Sequence, residues 1–315
     1  MSALQLTLLI FGIMLAFMAI RVPISVAMFA AGGIGYVMQT GWGPFANFLN
    51  SQAFARFASY DLSVIPLFIL MGHFATQGGL SRDLFRAASA FIGHVRGGLA
   101  MAAILSAAAF GAVCGSSVAT SATITQVAYP EMKTHGYSGR LATATLATGG
   151  TLGILIPPSV PLVVYAILTE QNIAKLFAAA IVPGILAALG YMVVISMVCR
   201  VRPEMAPASQ KSSITERWQA LWKIWPILMI FLVVFGGIYG GGFSPTEGAA
   251  IGALLTFVVG FGRGELKGAG MRQALLSTAE TSAMVFMIFL GADMMNAALA
   301  LSAMLWHYLE ANPIG

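Results

Sequence analysis

Two polar runs without a single charge carry the residue types most able to do chemistry in this chain. The first is Phe110-Gly-Ala-Val-Cys-Gly-Ser-Ser-Val-Ala-Thr-Ser-Ala-Thr123, with hydroxyls at Ser116, Ser117, Thr120, Ser121 and Thr123 between alanine-rich arms. The second is Thr148-Gly-Gly-Thr-Leu-Gly-Ile-Leu-Ile-Pro-Pro-Ser-Val-Pro161. Pro157 and Pro158 have no N–H, so the carbonyls of Gly153 and Ile154, four residues earlier, lose their helical donors. Gly149, Gly150 and Gly153 allow close approach of another backbone or an ion. Carbonyls and hydroxyls suit Na⁺, whereas a transition metal prefers His or Cys. A serine- and threonine-rich segment can also serve helix packing alone, its hydroxyls bonding back to their own helix. Two broken, hydroxyl-rich elements in one half of the chain exceed what packing needs and point to an ion and solute site.

The elements that must hold these runs lie in lipid. The 315 residues are 58% hydrophobic and 9% charged, with a mean hydropathy of +0.86. A soluble domain is closer to 45–50% apolar and about 25% charged. Soluble enzymes, nucleic-acid binders and disordered regulators are thereby excluded. The net charge of +5 fits the basic loops that membrane proteins keep in the cytoplasm. Cys114 and Cys199 have no spacing for a metal site or disulfide framework. The N-terminus lacks a basic region and cleavage site before Arg21, and reads as a first span that is retained.

Apolar runs cover roughly 4–20, 23–38, 62–78, 98–130, 138–169, 174–199, 225–242, 245–262 and 283–303. About 20 residues cross the roughly 30 Å hydrocarbon layer, so 98–130 and 138–169 are too long for one upright helix. If 98–130 enters and leaves by one face, with the N-terminus outside, that face collects every basic residue of the sixteen except Arg56 and Lys175. A single crossing separates the charges less well. The pattern therefore predicts a re-entrant hairpin over 98–134, entered from the cytoplasm, and a broken helix over 135–171, together forming a transport domain. Spans over 1–78 would be mainly scaffold, with a further span over 172–203. Residues 79–97 and 204–224 mix basic and aromatic residues like helices lying along the interface.

A faint internal repeat relates Val22-Pro23 to Ser244-Pro245, and Phe68-Ile-Leu-Met-Gly72 to Phe289-Leu-Gly291. The two copies would run through the membrane in opposite senses, as in secondary transporters. On this reading residues 225–315 form an incomplete second repeat, whose hairpin is expected beyond Gly315. Other chemistries fit poorly. A proton relay needs intramembrane acids or histidines, and only His73 and Asp293 lie within spans, with Glu131, Glu170 and Glu247 at edges. An aspartyl-protease pairing of Asp61 and Asp293 fails because Asp61 precedes its apolar run. Cys114 and His94 have no spacing that would join them as a nucleophile pair.

Gly111-Ala-Val-Cys-Gly-Ser-Ser-Val-Ala-Thr120, Tyr129-Pro-Glu-Met132, Gly149-Gly-Thr-Leu-Gly-Ile-Leu-Ile-Pro-Pro-Ser159, Leu176-Phe177, Ile181-Val-Pro-Gly184 and Ser244-Pro-Thr-Glu-Gly-Ala249 resemble the large membrane subunit of tripartite ATP-independent periplasmic (TRAP) transporters, the DctM-like permeases. The resemblance implies an all-α polytopic membrane protein with an inverted-repeat, elevator-type fold. It implies Na⁺-driven import of organic acids, such as C4-dicarboxylates or sialic acid, across the bacterial inner membrane. It also implies two partners, a small four-helix membrane subunit and a periplasmic substrate-binding protein. Carried onto matching positions, sodium would involve Gly115, Ser116, Ser117, Gly149, Thr151 and Gly153, and the substrate Thr120, Pro158 and Ser159. Family members continue through a second hairpin, so the chain reads as truncated. The competing readings are a related Na⁺/anion symporter without a binding protein, and a truncated scaffold that transports nothing.

Overall fold

The computed structural model describes residues 3–207 and 211–311. The parts of the expected first span, interfacial segment 204–224 and second repeat that fall on 1–2, 208–210 and 312–315 lie outside the described residues. Among the described residues the only regular secondary structure is helical. In chain order the α-helices are α1 (Ala3–Ala19), α2 (Ile24–Thr40), α3 (Trp42–Phe57), α4 (Val64–Gln77), α5 (Leu80–Ile92), α6 (Gly98–Cys114), α7 (Ser117–Thr134), α8 (Gly139–Leu155), α9 (Val160–Leu168), α10 (Ile173–Val201), α11 (Ile214–Tyr239), α12 (Pro245–Gly262) and α13 (Ala269–Ala311). Among the described residues, five stretches are long and apolar enough to cross a bilayer: Gly139–Leu168, Ile173–Val201, Ile214–Tyr239, Pro245–Gly262 and Ala269–Ser302. A sixth is added if α4 and α5, bent by 65° at Gly78-Gly79, make one broken span.

The chain forms two compact units, one of Met1–Tyr60 with Ala279–Gly315, the other Asp61–Thr278. In the first, Leu6, Ile10, Ala31, Met295 and Ala298 make a common core from α1, α2 and the end of α13. Small residues set the spacing: a Cβ on Gly32 would lie 2.7 Å from the Met295 nitrogen. Close backbone approach of this kind is how membrane helices gain contact where lipid supplies no hydrophobic drive.

In the second unit α12 packs along α4, α11 lies against α5 and α12, and α6 is surrounded by α4, α5, α7, α8 and α10. Gly252 admits Met71 of α4, since a Cβ there would collide with the Met71 sulfur. Fifteen of the seventeen side chains or glycines of α6, from Gly98 to Cys114, are buried. A helix so apolar all round and so enclosed belongs inside the bundle.

Residues 98–134 form a helical hairpin. The arms α6 and α7 pack together through a two-residue turn, Gly115-Ser116, in which Gly115 is left-handed with φ 67°. Their outer ends are tied at one place, where the Leu99 N–H donates to the Tyr137 hydroxyl at 3.1 Å. Ser138 then donates its N–H to the Met205 carbonyl, bringing the foot of α10 to the same end. Residues 138–169 divide into α8 and α9 at Ile156-Pro-Pro-Ser159, with a cis peptide between Pro157 and Pro158.

Two departures from the sequence-based reading have simple causes. The segment expected as a separate interfacial helix within 204–224 is, from Ile214, the first part of α11, which continues past Pro226 to Tyr239. Ser213 and Glu216 start it with reciprocal hydrogen bonds, a capping box that opens a long helix. Helix α3 was not expected, because Asn47, Asn50, Ser51 and Gln52 interrupt any apolar run.

Candidate functional site

The hairpin turn and the break between α8 and α9 meet each other. Gly115 ends α6, and its carbonyl receives the Val160 N–H at 3.5 Å. A Cβ on Gly115 would lie 2.7 Å from the Pro158 carbonyl oxygen. On the facing side a Cβ on Gly111 would lie 2.7 Å from the Gly153 Cα. A Cβ on Gly153 would lie 2.5 Å from the Thr120 Oγ1 and 2.7 Å from the Ser116 carbonyl oxygen. Glycine is required at all three positions because backbone touches backbone.

Four helix ends converge there. Helices α6 and α8 finish at Cys114 and Leu155, while α7 and α9 begin at Ser117 and Val160. Carbonyl ends favour cations and amide ends favour anions, each strongest within the last turn. Ser116 caps α7, accepting from the Ala119 N–H at 3.3 Å. Ser159 caps α9, accepting from the Leu162 N–H at 3.4 Å, and donates its own hydrogen to the Ile154 carbonyl at 2.6 Å. One hydroxyl thus holds both sides of the break. It also takes up one of the two carbonyls the prolines were expected to leave free, Ile154, and leaves Gly153 without a donor from Pro157.

Thr120 is the polar group without a settled role. It is fully buried, and the one hydrogen-bond neighbour of its Oγ1 is the Cys114 thiol, a weak partner. A buried hydroxyl left this way costs about 1–3 kcal/mol. Thr120 therefore stands beside Gly153 and the Ser116 carbonyl as an oxygen with free capacity. Oxygen-only donors of this kind fit Na⁺. Among the described residues no group of three or more His, Cys, Asp or Glu is placed to hold a metal ion.

The nine expected site residues are not all gathered. Gly115, Ser116, Ser117, Thr120, Gly153, Pro158 and Ser159 lie at or beside the meeting point. Gly149 sits a turn earlier on α8, against Ala107 and Ile104 of α6, where its missing side chain lets two helices close. Thr151 faces the other way: exposed, it donates to the Thr148 carbonyl at 2.7 Å and lies 3.2 Å from the Tyr191 hydroxyl of α10.

Two neighbours escaped the sequence reading. Gly72 of α4 backs onto the hairpin turn, a Cβ there lying 2.6 Å from the Cys114 carbonyl oxygen. Gly184 of α10 admits Ile156 at the break, at 2.7 Å from an added Cβ. Both close motifs that the sequence singles out, Phe68-Ile-Leu-Met-Gly72 and Ile181-Val-Pro-Gly184, but neither motif says what its glycine faces.

The family described as tripartite ATP-independent periplasmic transporter, DctM component, matches residues 11–306. The chain is 40% identical over 247 residues to the C4-dicarboxylate TRAP transporter large permease protein DctM of Pseudomonas aeruginosa, covering 78% of this chain and 57% of that one. It is 33% identical over 308 residues to the DctM large permease protein of Rhodobacter capsulatus, 93% of this chain and 69% of that one. It is 30% identical over 246 residues to the sialic acid TRAP transporter large permease protein SiaM of Vibrio cholerae, 78% of this chain and 57% of that one. The chain thus spans between just over half and about two thirds of the length of these relatives. With an all-helical fold, a hairpin and a broken helix over the matched residues, it belongs to the DctM component family of tripartite ATP-independent periplasmic transporters.

Proposed function

We propose that this chain is the ion- and substrate-holding part of a Na⁺-coupled importer of organic acids in a bacterial inner membrane. The observation that carries the reading is the buried Thr120 hydroxyl, with no partner stronger than the Cys114 thiol, beside Gly153 and the Ser116 carbonyl. Na⁺ is cargo here, held by oxygens at the finishing ends of α6 and α8. The starting end of α7 offers first-turn amides to a carboxylate, as half-helices do at transporter midplanes, and Ser159 beside it holds the break in place. A periplasmic binding protein delivers the acid, and a small four-helix membrane subunit supports the permease. The names of relatives acting on C4-dicarboxylates and sialic acid support a carboxylate as substrate.

Helix pairing within each unit supports an inverted repeat. The start of the second copy, α12, packs on α4 of the first, while the end of α13 packs on α2 through Gly32 and Gly291. A two-fold exchange of copies produces this crosswise pattern. The hydrogen bonds that tie the basic end together support a cytoplasmic placement for it. Arg263 bonds Asp83 and the Lys223 carbonyl there, and Tyr137 bonds Leu99. The N-terminus then lies in the periplasm, and an elevator movement would carry the hairpin and the broken helix together.

The test is uptake of a radiolabelled dicarboxylate or sialic acid by proteoliposomes holding the full-length permease and both partners. Uptake should require an inward Na⁺ gradient and survive collapse of the pH gradient. Equal uptake in K⁺ medium would remove the sodium assignment.

A further inference from the structure

A cavity of about 470 Å³ lies apart from the meeting point, between α8 and α10 with Ile104 of α6 in its lining. Its walls are mostly aliphatic, with Ala144 on one side and Val194 and Val198 on the other. Of the hydroxyls along it, Thr148 and Tyr191 are occupied, and Thr145 Oγ1 is buried without a partner. Thr148 donates to the Ala144 carbonyl, and the Tyr191 hydroxyl pairs with Thr151. A water-soluble metabolite would lose its hydration there and gain almost nothing in return.

The cavity's location points to the occupant. It lies against α10, whose Leu186, Leu189, Val194 and Met197 are exposed, and an apolar face of that length on a 29-residue helix faces hydrocarbon. At one end stands Arg140, the second residue of the membrane stretch Gly139–Leu168 and so level with lipid phosphates. Its side chain is exposed and has no carboxylate partner among the described residues. From Arg140 to Thr148 the groove follows α8 for about 12 Å into the membrane. Lys133 ends α7 and Arg200 ends α10 at the same foot of the bundle, adding positive charge around the mouth.

We propose that this groove holds one acyl chain of an anionic bilayer phospholipid, with its phosphate against Arg140. The chain would fill the space between α8 and α10 and brace the helix that leads to the break. The site is independent of the sodium assignment and meets its residues only at second hand, Thr151 through Tyr191 and Gly149 through Ile104.

The experiment is native mass spectrometry of the full-length permease, delipidated in mild detergent and then offered phosphatidylglycerol or phosphatidylcholine with identical chains. The wild type should retain phosphatidylglycerol in preference, and excess inorganic phosphate should not displace it. Arg140→Gln should lower that retention about fivefold, the effect of one basic side chain at the lipid surface, and erase the preference. Lys267→Gln, at a distant basic position, should leave it unchanged. Ala144→Phe should fill the groove and abolish retention, and Val194→Trp should do the same from the opposite wall if the first variant does not fold. Failure of the wild type to retain lipid, equal retention of the two lipids, or full retention by a folded groove-filling variant would overturn the proposal.

Discussion

Replacing Gly153 by alanine adds one methyl group where the two broken elements touch. That carbon would sit 2.5 Å from the Thr120 Oγ1 and 2.7 Å from the Ser116 carbonyl oxygen. The hydroxyl can rotate away, but the carbonyl cannot. It accepts the Thr120 N–H at 3.0 Å and belongs to the first turn of α7. Reaching ordinary contact at about 3.4 Å therefore requires the hairpin turn or α8 to retreat by about 0.7 Å. Overpacking of this size costs about 1–3 kcal/mol. If the cost falls on the ion-bound arrangement, Na⁺ affinity should drop roughly five- to 150-fold. The same overpacking can also loosen the fold, offset by up to about 1 kcal/mol from alanine in place of a helical glycine, so membrane abundance and thermal midpoint are read beside the Na⁺ dependence. Gly190→Ala on α10 is the matched control, because nothing lies within 4 Å of its added carbon. The assay is the Na⁺ concentration giving half-maximal uptake by the full-length permease with its partners, alongside membrane abundance. Normal Na⁺ dependence in Gly153→Ala would refute the reasoning.

Thr120→Val keeps the shape of the side chain and removes its hydroxyl. A site role predicts an approximately tenfold weaker Na⁺ dependence with Thr120→Ser retaining function, whereas a packing role predicts a more heat-stable protein with normal uptake. Tyr137→Phe should lower stability by about 1 kcal/mol, read as a lower thermal midpoint, by leaving the Leu99 N–H at the start of α6 without its acceptor. Burial raises the pKa of this phenol, so it keeps its proton across the physiological range and the effect should not vary with pH there. Single cysteines within 82–96, 133–140, 200–223 and 263–272 should all react with an impermeant reagent from the cytoplasmic side. Labelling of 82–96 and 133–140 from opposite sides would dismantle the re-entrant hairpin.

The local breaks were legible because each has its own backbone chemistry. Gly115 in a hydroxyl-rich run marked the hairpin turn, and adjacent prolines at 157 and 158 marked the end of α8. Ser244-Pro245 marked the start of α12 in the same way, with serine as cap and proline in the first turn. Hydropathy did less well where a helix is neither clearly buried nor clearly polar. Helix α3 has too many amides, and the start of α11 has Trp218, Trp222 and Trp225 exposed among charges. Thr151 was misdirected by its neighbours in the motif. Two residues apart on a helix is about 200° of rotation, so Gly149 and Gly153 share a face that Thr151 cannot share. That argument needed only the spacing. What no spacing reveals is which glycine faces which strand of backbone, because a glycine leaves no pattern of its own.

The seam between hairpin and break is made almost wholly of main chain, and this limits how the protein can vary. Substitution exchanges side chains, and at Gly111, Gly115 and Gly153 there is none to exchange, while any addition strikes the opposing backbone. Drift in sequence can therefore remodel the walls around the seam without retuning the seam itself. Three hydroxyls are the exceptions: Thr120, reaching toward Gly153, and Ser116 and Ser159, which cap the helices on either side. Anyone wishing to retune the seam has those hydroxyls to work with, or must alter the lengths of the helices that bring the two tips together.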